Sequence, residues 1–147
     1  MSEINVTTNG LLLHATEFLI AAETLLNKAA DIQYNMQYPI FYLFGHSIEL
    51  SLKAFLFSSG MTANELKKIG HDISKLFVEA QTRNIQSLVE FNCIDIGVIQ
   101  LLNIDYSSKK FEYRDSGGTY YLPNIAVTEE IARKLVIGLQ IVCVKEG

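Results

Sequence analysis

The stretch Pro39–Gly60, PIFYLFGHSIELSLKAFLFSSG, decides how the rest of the chain is read. Proline suits the first turn of a helix, where its missing N–H costs nothing, and glycine suits the stop. At about 100° per residue, Tyr42, His46, Glu49 and Lys53 fall on one narrow stripe. Ser47, Ser51 and Ser58 form a small polar track on the opposite side, and nearly everything else is aromatic or aliphatic. A helix that is apolar almost all round belongs in an interior. Its charged stripe must then be paired, because an unpaired buried charge is costly.

The surrounding sequence supplies partners for such a helix. Residues 9–33 repeat apolar side chains (Leu11, Ala15, Phe18, Ala22, Leu25, Ala29, Ile32) at helical spacing, with His14, Glu17, Thr24, Lys28 and Asp31 opposite. Thr62 and Glu65 make a capping box, Gly70 closes the short helix it starts, and Asp72 caps a helix buried along Ile73, Leu76, Phe77 and Ala80. Ser87 and Glu90 read as a second capping box before Leu88, Phe91, Ile94, Val98, Leu101 and Leu102. The pattern breaks at residues 105–123. There FEYR-DSGG-TYYL predicts an extended segment or a small β-hairpin turning at Gly117-Gly118. Thr128 is the expected N-cap of a last helix buried along Ile131, Leu135, Leu139 and Val142. The expected fold is all-α: an up-down bundle of four long helices plus short ones, in a single domain over 1–147.

Composition narrows the function classes. With 49% hydrophobic and 19% charged residues the chain is globular, and its net charge of −4 argues against a large nonspecific nucleic-acid surface. Cys93 and Cys143 lack CxxC spacing and sit among apolar neighbours, so they are expected to be reduced core residues of a cytoplasmic protein. No run reaches about 18 uncharged apolar residues, so no membrane span is expected. No phosphate-binding glycine loop, nucleophile elbow or zinc signature is found, and neither a metal nor another cofactor is expected.

The candidate chemistry lies in two clusters. His46, Glu49, Lys53 and, across the fold, His71 could form a catalytic set in which Glu49 orients a histidine base and Lys53 holds a phosphate. The same four residues could equally be an i,i+4 ion pair with a histidine satisfying a buried carboxylate. Lys109, Lys110, Tyr113, Arg114, Tyr120 and Tyr121 combine cations with aromatic faces suited to stacked bases, or else pack their tyrosines on the helices.

YLFGHSIELSLKAFL resembles the second helix of HEPN-type helical bundles, and GHDISKL resembles the turn and helix start that follow it there. FEYRD…YYLP is similar to an extended segment late in some members, so the resemblance spans roughly Phe41 to Leu122. It implies an all-α, commonly dimeric bundle from prokaryotic systems tied to RNA, nucleotides or defence. Active members cut RNA without a metal through an R-x(4–6)-H motif at the dimer interface. Here no histidine follows Arg83, Arg114 or Arg133, since His14, His46 and His71 all come earlier. The matching residues are Glu49, Lys53, Gly70, His71 and Asp72, which resemble the family's structural polar cluster. The resemblance therefore implies a non-catalytic binding or regulatory module, homodimeric, with RNA or a nucleotide as ligand. The alternatives are a metal-independent ribonuclease or other enzyme using the His/Glu/Lys cluster, and a structural subunit that docks a partner protein.

Overall fold

The computed structural model describes residues 5–113 and 118–146, the last three by backbone alone. Among these residues the regular structure is entirely helical: α1 (Thr8–Lys28), α2 (Gln37–Ser58), α3 (Ala63–Ile69), α4 (Ile73–Thr82), α5 (Cys93–Ser107), α6 (Ile125–Gly138) and α7 (Gln140–Glu146). Two single 3-10 turns, Ala29–Asp31 and Ile85–Ser87, join them.

The quoted stretch becomes α2, and the other helices gather on it. Its longest contact is with α1, and α3, α4, α5 and α6 also touch it. Phe41, Phe44, Ile48, Leu52 and Leu56 are buried along one face, and Ile40, Ser47, Glu49 and Ala54 are buried on other faces. By length and hydropathy α2 could cross a membrane, but 67% of its most apolar window is buried inside the protein. The Ser47 hydroxyl donates to the Ala15 carbonyl at 2.7 Å and so ties α2 to α1, whereas the Ser51 hydroxyl is buried without a hydrogen-bond partner among the described residues. Ser59 and Gly60 end the helix as a Schellman motif. Met61 N–H reaches the Leu56 carbonyl, Gly60 N–H reaches that of Phe57, and Gly60 takes the φ of +108° that such a stop requires.

The Thr62–Glu65 capping box and the Asp72 cap are formed, and Ile73, Leu76, Phe77 and Ala80 are buried as one stripe. Several expectations are corrected. α1 stops at Lys28 rather than Gln33, giving way to a 3-10 turn, and it is buried along Leu12, Ala15, Leu19 and Ala22. Ser87 is not a helix cap. Its hydroxyl donates back to the Asn84 carbonyl inside a 3-10 turn, and α5 starts later, on an Asn92–Asp95 capping box. Thr128 is not a cap either, because its hydroxyl donates to the Asn124 carbonyl within the first turn of α6. Asn124, one residue after Pro123, caps that helix instead. The last helical stretch breaks at Leu139, so α6 and α7 are separate. Cys93 is no core residue, since it opens α5 exposed, while Cys143 is half-buried. Helix α5 carries on through Asp105 and Tyr106, past the predicted break, and both buried side chains find partners there, the Tyr121 amide and the Glu49 carboxylate. No strand flanks the predicted hairpin turn among the described residues. Residues 114–117, where most of that turn falls, lie outside the description, and 118–124 are irregular.

Candidate functional site

Glu49 lies in the middle of α2 and is only 1% exposed. A carboxylate there needs donors on both oxygens. Lys53, one turn on, donates from Nζ to Oε2 at 2.8 Å, which is the i,i+4 geometry the stripe predicted. His71 lies 2.9 Å from Oε1 through Nδ1, and the Tyr106 hydroxyl donates to the same oxygen at 2.6 Å. His46 Nδ1 is 2.9 Å from that hydroxyl and 3.8 Å from Oε1. One carboxylate therefore gathers α2, α5 and the α3–α4 junction.

Each partner is held by local structure. Gly70 takes φ +68° between α3 and α4, a conformation that suits glycine, and this sharp corner presents His71 to Glu49. The corner is braced from α5. Asn103 Oδ1 accepts the Ile73 amide at 2.7 Å and its Nδ2 donates to Asp72 at 3.0 Å. Tyr106 reaches Glu49 only because residue 45 is glycine: a Cβ there would stand 2.5 Å from Tyr106 Cδ1. The His46 ring meets Phe18 edge-on at 4.4 Å and stacks on Tyr42 at 5.7 Å.

The electrostatics follow from this cage. Burial pushes the Glu49 carboxyl up, but the hydrogen bonds from Lys53 and Tyr106, the Lys53 charge and His71 outweigh it and hold the group below the usual carboxylate range. Burial lowers His46 more than the Glu49 charge raises it, with His71 and Lys53 pushing the same way, so His46 is neutral at pH 7. Burial and the Glu49 charge drive Tyr106 far above its ordinary value and keep its proton on. The tautomers then follow by elimination. The one Tyr106 proton goes to Glu49, so His46 must donate from Nδ1 to the tyrosine oxygen. An ionised carboxylate only accepts, so His71 also donates from Nδ1. Both imidazoles are left with Nε2 facing away from the carboxylate. His71 is the wetter of the two, with half of its side-chain surface exposed.

Sequence reasoning named His46, Glu49, Lys53 and His71, and the structure joins all four. It missed Tyr106, Gly45 and Asn103. Tyr106 carried a usable signal, since it follows Leu102 at the i+4 position of the buried α5 stripe. This cluster lines neither the cavity between residues 86–95 and 130–138 nor the one bordered by Asn9, Leu12, Leu13, Thr16, Gln140 and Cys143. No group of three or more His, Cys, Asp or Glu side chains is arranged to hold a metal ion among the described residues.

The second candidate set is partly consumed by the fold. Lys110 donates from Nζ to the Thr119 carbonyl at 3.0 Å and lies 5.8 Å over the Tyr120 ring. Tyr120 in turn packs on Tyr38, with ring centroids 4.4 Å apart. The fully buried Asp105 accepts the Tyr121 amide at 2.5 Å, pinning 118–124 to α5. Tyr113, Lys109 and, in part, the Tyr121 ring face solvent, and Arg114 lies outside the described residues. Compared with protein-family models, curated proteins and solved structures, the chain matches none.

Proposed function

We propose that this chain is a HEPN-like up-down helical bundle acting as a non-catalytic binding or regulatory module in RNA-, nucleotide- or defence-related biology. The observation that carries the reading is the closure of the Glu49 carboxylate: both oxygens are taken by side chains of the protein itself. A carboxylate that is 1% exposed and already accepts three hydrogen bonds from its own chain is closed to a substrate, and it stabilises the junction of α2, α5 and the Gly70 corner. The residues that resemble the family's polar cluster stand together in this clasp, and the sequence holds no histidine downstream of an arginine. RNA or a nucleotide would meet the exposed Tyr113, Tyr121 and Lys109, on a homodimer. The test is incubation of the purified protein with single-stranded RNA. Retention of intact RNA on the protein, weakened by Tyr113→Ala and Tyr121→Ala, is the expected result. Cleavage that His71→Ala abolishes without changing the melting temperature overturns it.

That overturning result is the signature of a second reading with its own support. A half-exposed imidazole whose Nδ1–H is fixed by a buried carboxylate is oriented as histidine bases are, with Nε2 free to take a proton. Under this reading His71 is the base and Glu49 its positioning residue.

A further inference from the structure

A groove of about 910 Å³ runs between residues 86–95 and one face of α6, away from the Glu49 cluster. Leu88, Val89, Phe91 and Ile137, the last 65% exposed, form the apolar part of a lining that also carries charged and amide side chains. Gly138 lets α6 come against the connector, because a Cβ there would lie 2.7 Å from Val89 Cγ2 and 3.0 Å from the Leu88 carbonyl oxygen. The volume lies in the range of ligand clefts, and Ile137 leaves apolar surface exposed at its edge.

The charges around the groove decide what fits. Both of its cations are already engaged. Lys134 donates from Nζ to Asp95 Oδ2 at 2.5 Å and lies over the Phe91 ring, while Arg133 pairs with Glu23 and Glu129 across α1 and α6. Glu90 and Glu130, in contrast, are exposed and have no ion-pair partner among the described residues. The groove thus offers an apolar wall under two free carboxylates, on a chain of net charge −4. A polyanion is repelled there. A ligand with aliphatic groups on one side and cations beside them is matched on both counts.

We propose that this groove docks a basic amphipathic segment of a partner protein, whose aliphatic side chains cover Phe91 and Ile137 while its lysines or arginines pair with Glu90 and Glu130. The inference goes beyond the clasp and does not depend on it. The test is an NMR titration of the 15N-labelled full chain at low salt with a helical leucine/lysine peptide, a leucine/glutamate peptide of equal length and a single-stranded RNA. The expected result is saturable shifts at residues 86–95 and 130–138 with the lysine peptide alone. Glu90→Lys with Glu130→Lys should weaken that binding about tenfold without moving the melting temperature, since both sites are exposed. Ile137→Asp should weaken it as well. The proposal fails if no saturable shifts appear, if they map elsewhere, or if the double variant binds equally well. It fails too if RNA shifts the same residues, or if the free protein already self-associates through this groove.

Discussion

Two buried carboxylates among the described residues accept a hydrogen bond from a lysine, and their surroundings differ. Glu49 and Lys53 lie one turn apart on α2, and Tyr106 and His71 complete the cage. Asp95 and Lys134 meet across α5 and α6 from positions 39 residues apart, and Asp95 also accepts the Asn92 amide as part of a helix cap. The first pair is sealed in the centre of the fold. The second borders an open groove. A carboxylate caged by three side chains from three parts of the chain acts as a joint. A carboxylate spent on a cap and a single lysine leaves the neighbouring Glu90 and Glu130 free to meet something else.

The largest effect should come from opening the joint. Glu49→Ala leaves Lys53 without its counter-charge and costs about 3–5 kcal/mol, read as a fall in the urea midpoint at constant slope. Glu49→Leu combined with Lys53→Met should recover most of that loss. Apolar side chains then fill the site, and Tyr106 can still bond His46 once the imidazole changes tautomer. If the double replacement is as damaging as Glu49→Ala, the clasp contributes more than charge pairing.

Next comes the space the joint requires. Gly45→Ala places a methyl 2.5 Å from the Tyr106 ring, and overpacking of this kind costs about 1–3 kcal/mol. Gly97→Ala, on α5 with open space around it, should instead stabilise by roughly 0.5–1 kcal/mol through helix propensity. Thermal melts of the two variants should move in opposite directions. Equal shifts would mean that Tyr106 yields freely and is not held by Glu49.

The open pair should be more forgiving. Lys134→Met removes one donor from the buried Asp95, which keeps the Asn92 amide, so a loss of about 1–3 kcal/mol is expected. A loss matching that of Glu49→Ala would erase the distinction between joint and groove edge.

The same contrast explains what could be read from the sequence. Lys53 follows Glu49 by one helical turn, so period alone pairs them, and the GHD corner suggested where His71 would come from. Asp95 and Lys134 carry no local signal, because their meeting depends on how α5 and α6 pack. Helix starts were misplaced where two capping signals compete. Ser87 and Thr128 look like caps, yet Asn92 and Asn124 hold the amides, and the two hydroxyls instead donate to carbonyls three or four residues back. Cys93 looked apolar by its neighbours, but as the first residue of α5 it faces water. Tyr106 is missed because the sequence pattern ends the helix before Asp105, three residues short of its end at Ser107. The groove left no trace in any single segment, since its lining comes from two stretches about 40 residues apart.

The gentlest probe of the joint is pH, since it adds protons one at a time. His46 is held below its ordinary value of 6.5, so the unfolded chain takes up that proton before the folded one does. Stability from the neutral imidazole is therefore present above about 6.5 and is lost as pH falls from there through the folded value. Glu49 is held below 4.5, so its contribution disappears only in a second, more acidic step. Around His46 stand Glu49, Lys53 and Tyr42 of α2, Tyr106 of α5, His71 of the corner and Glu112 beyond α5, so the first step reports on the whole joint. Urea midpoints measured between pH 7 and pH 5 should fall along a limb of at most one proton. His46→Gln, which can still bond Tyr106, should flatten that limb, and Lys134→Met should leave it in place. If the limb persists in His46→Gln, the proton enters elsewhere, and the cage around Glu49 is looser than its hydrogen bonds imply.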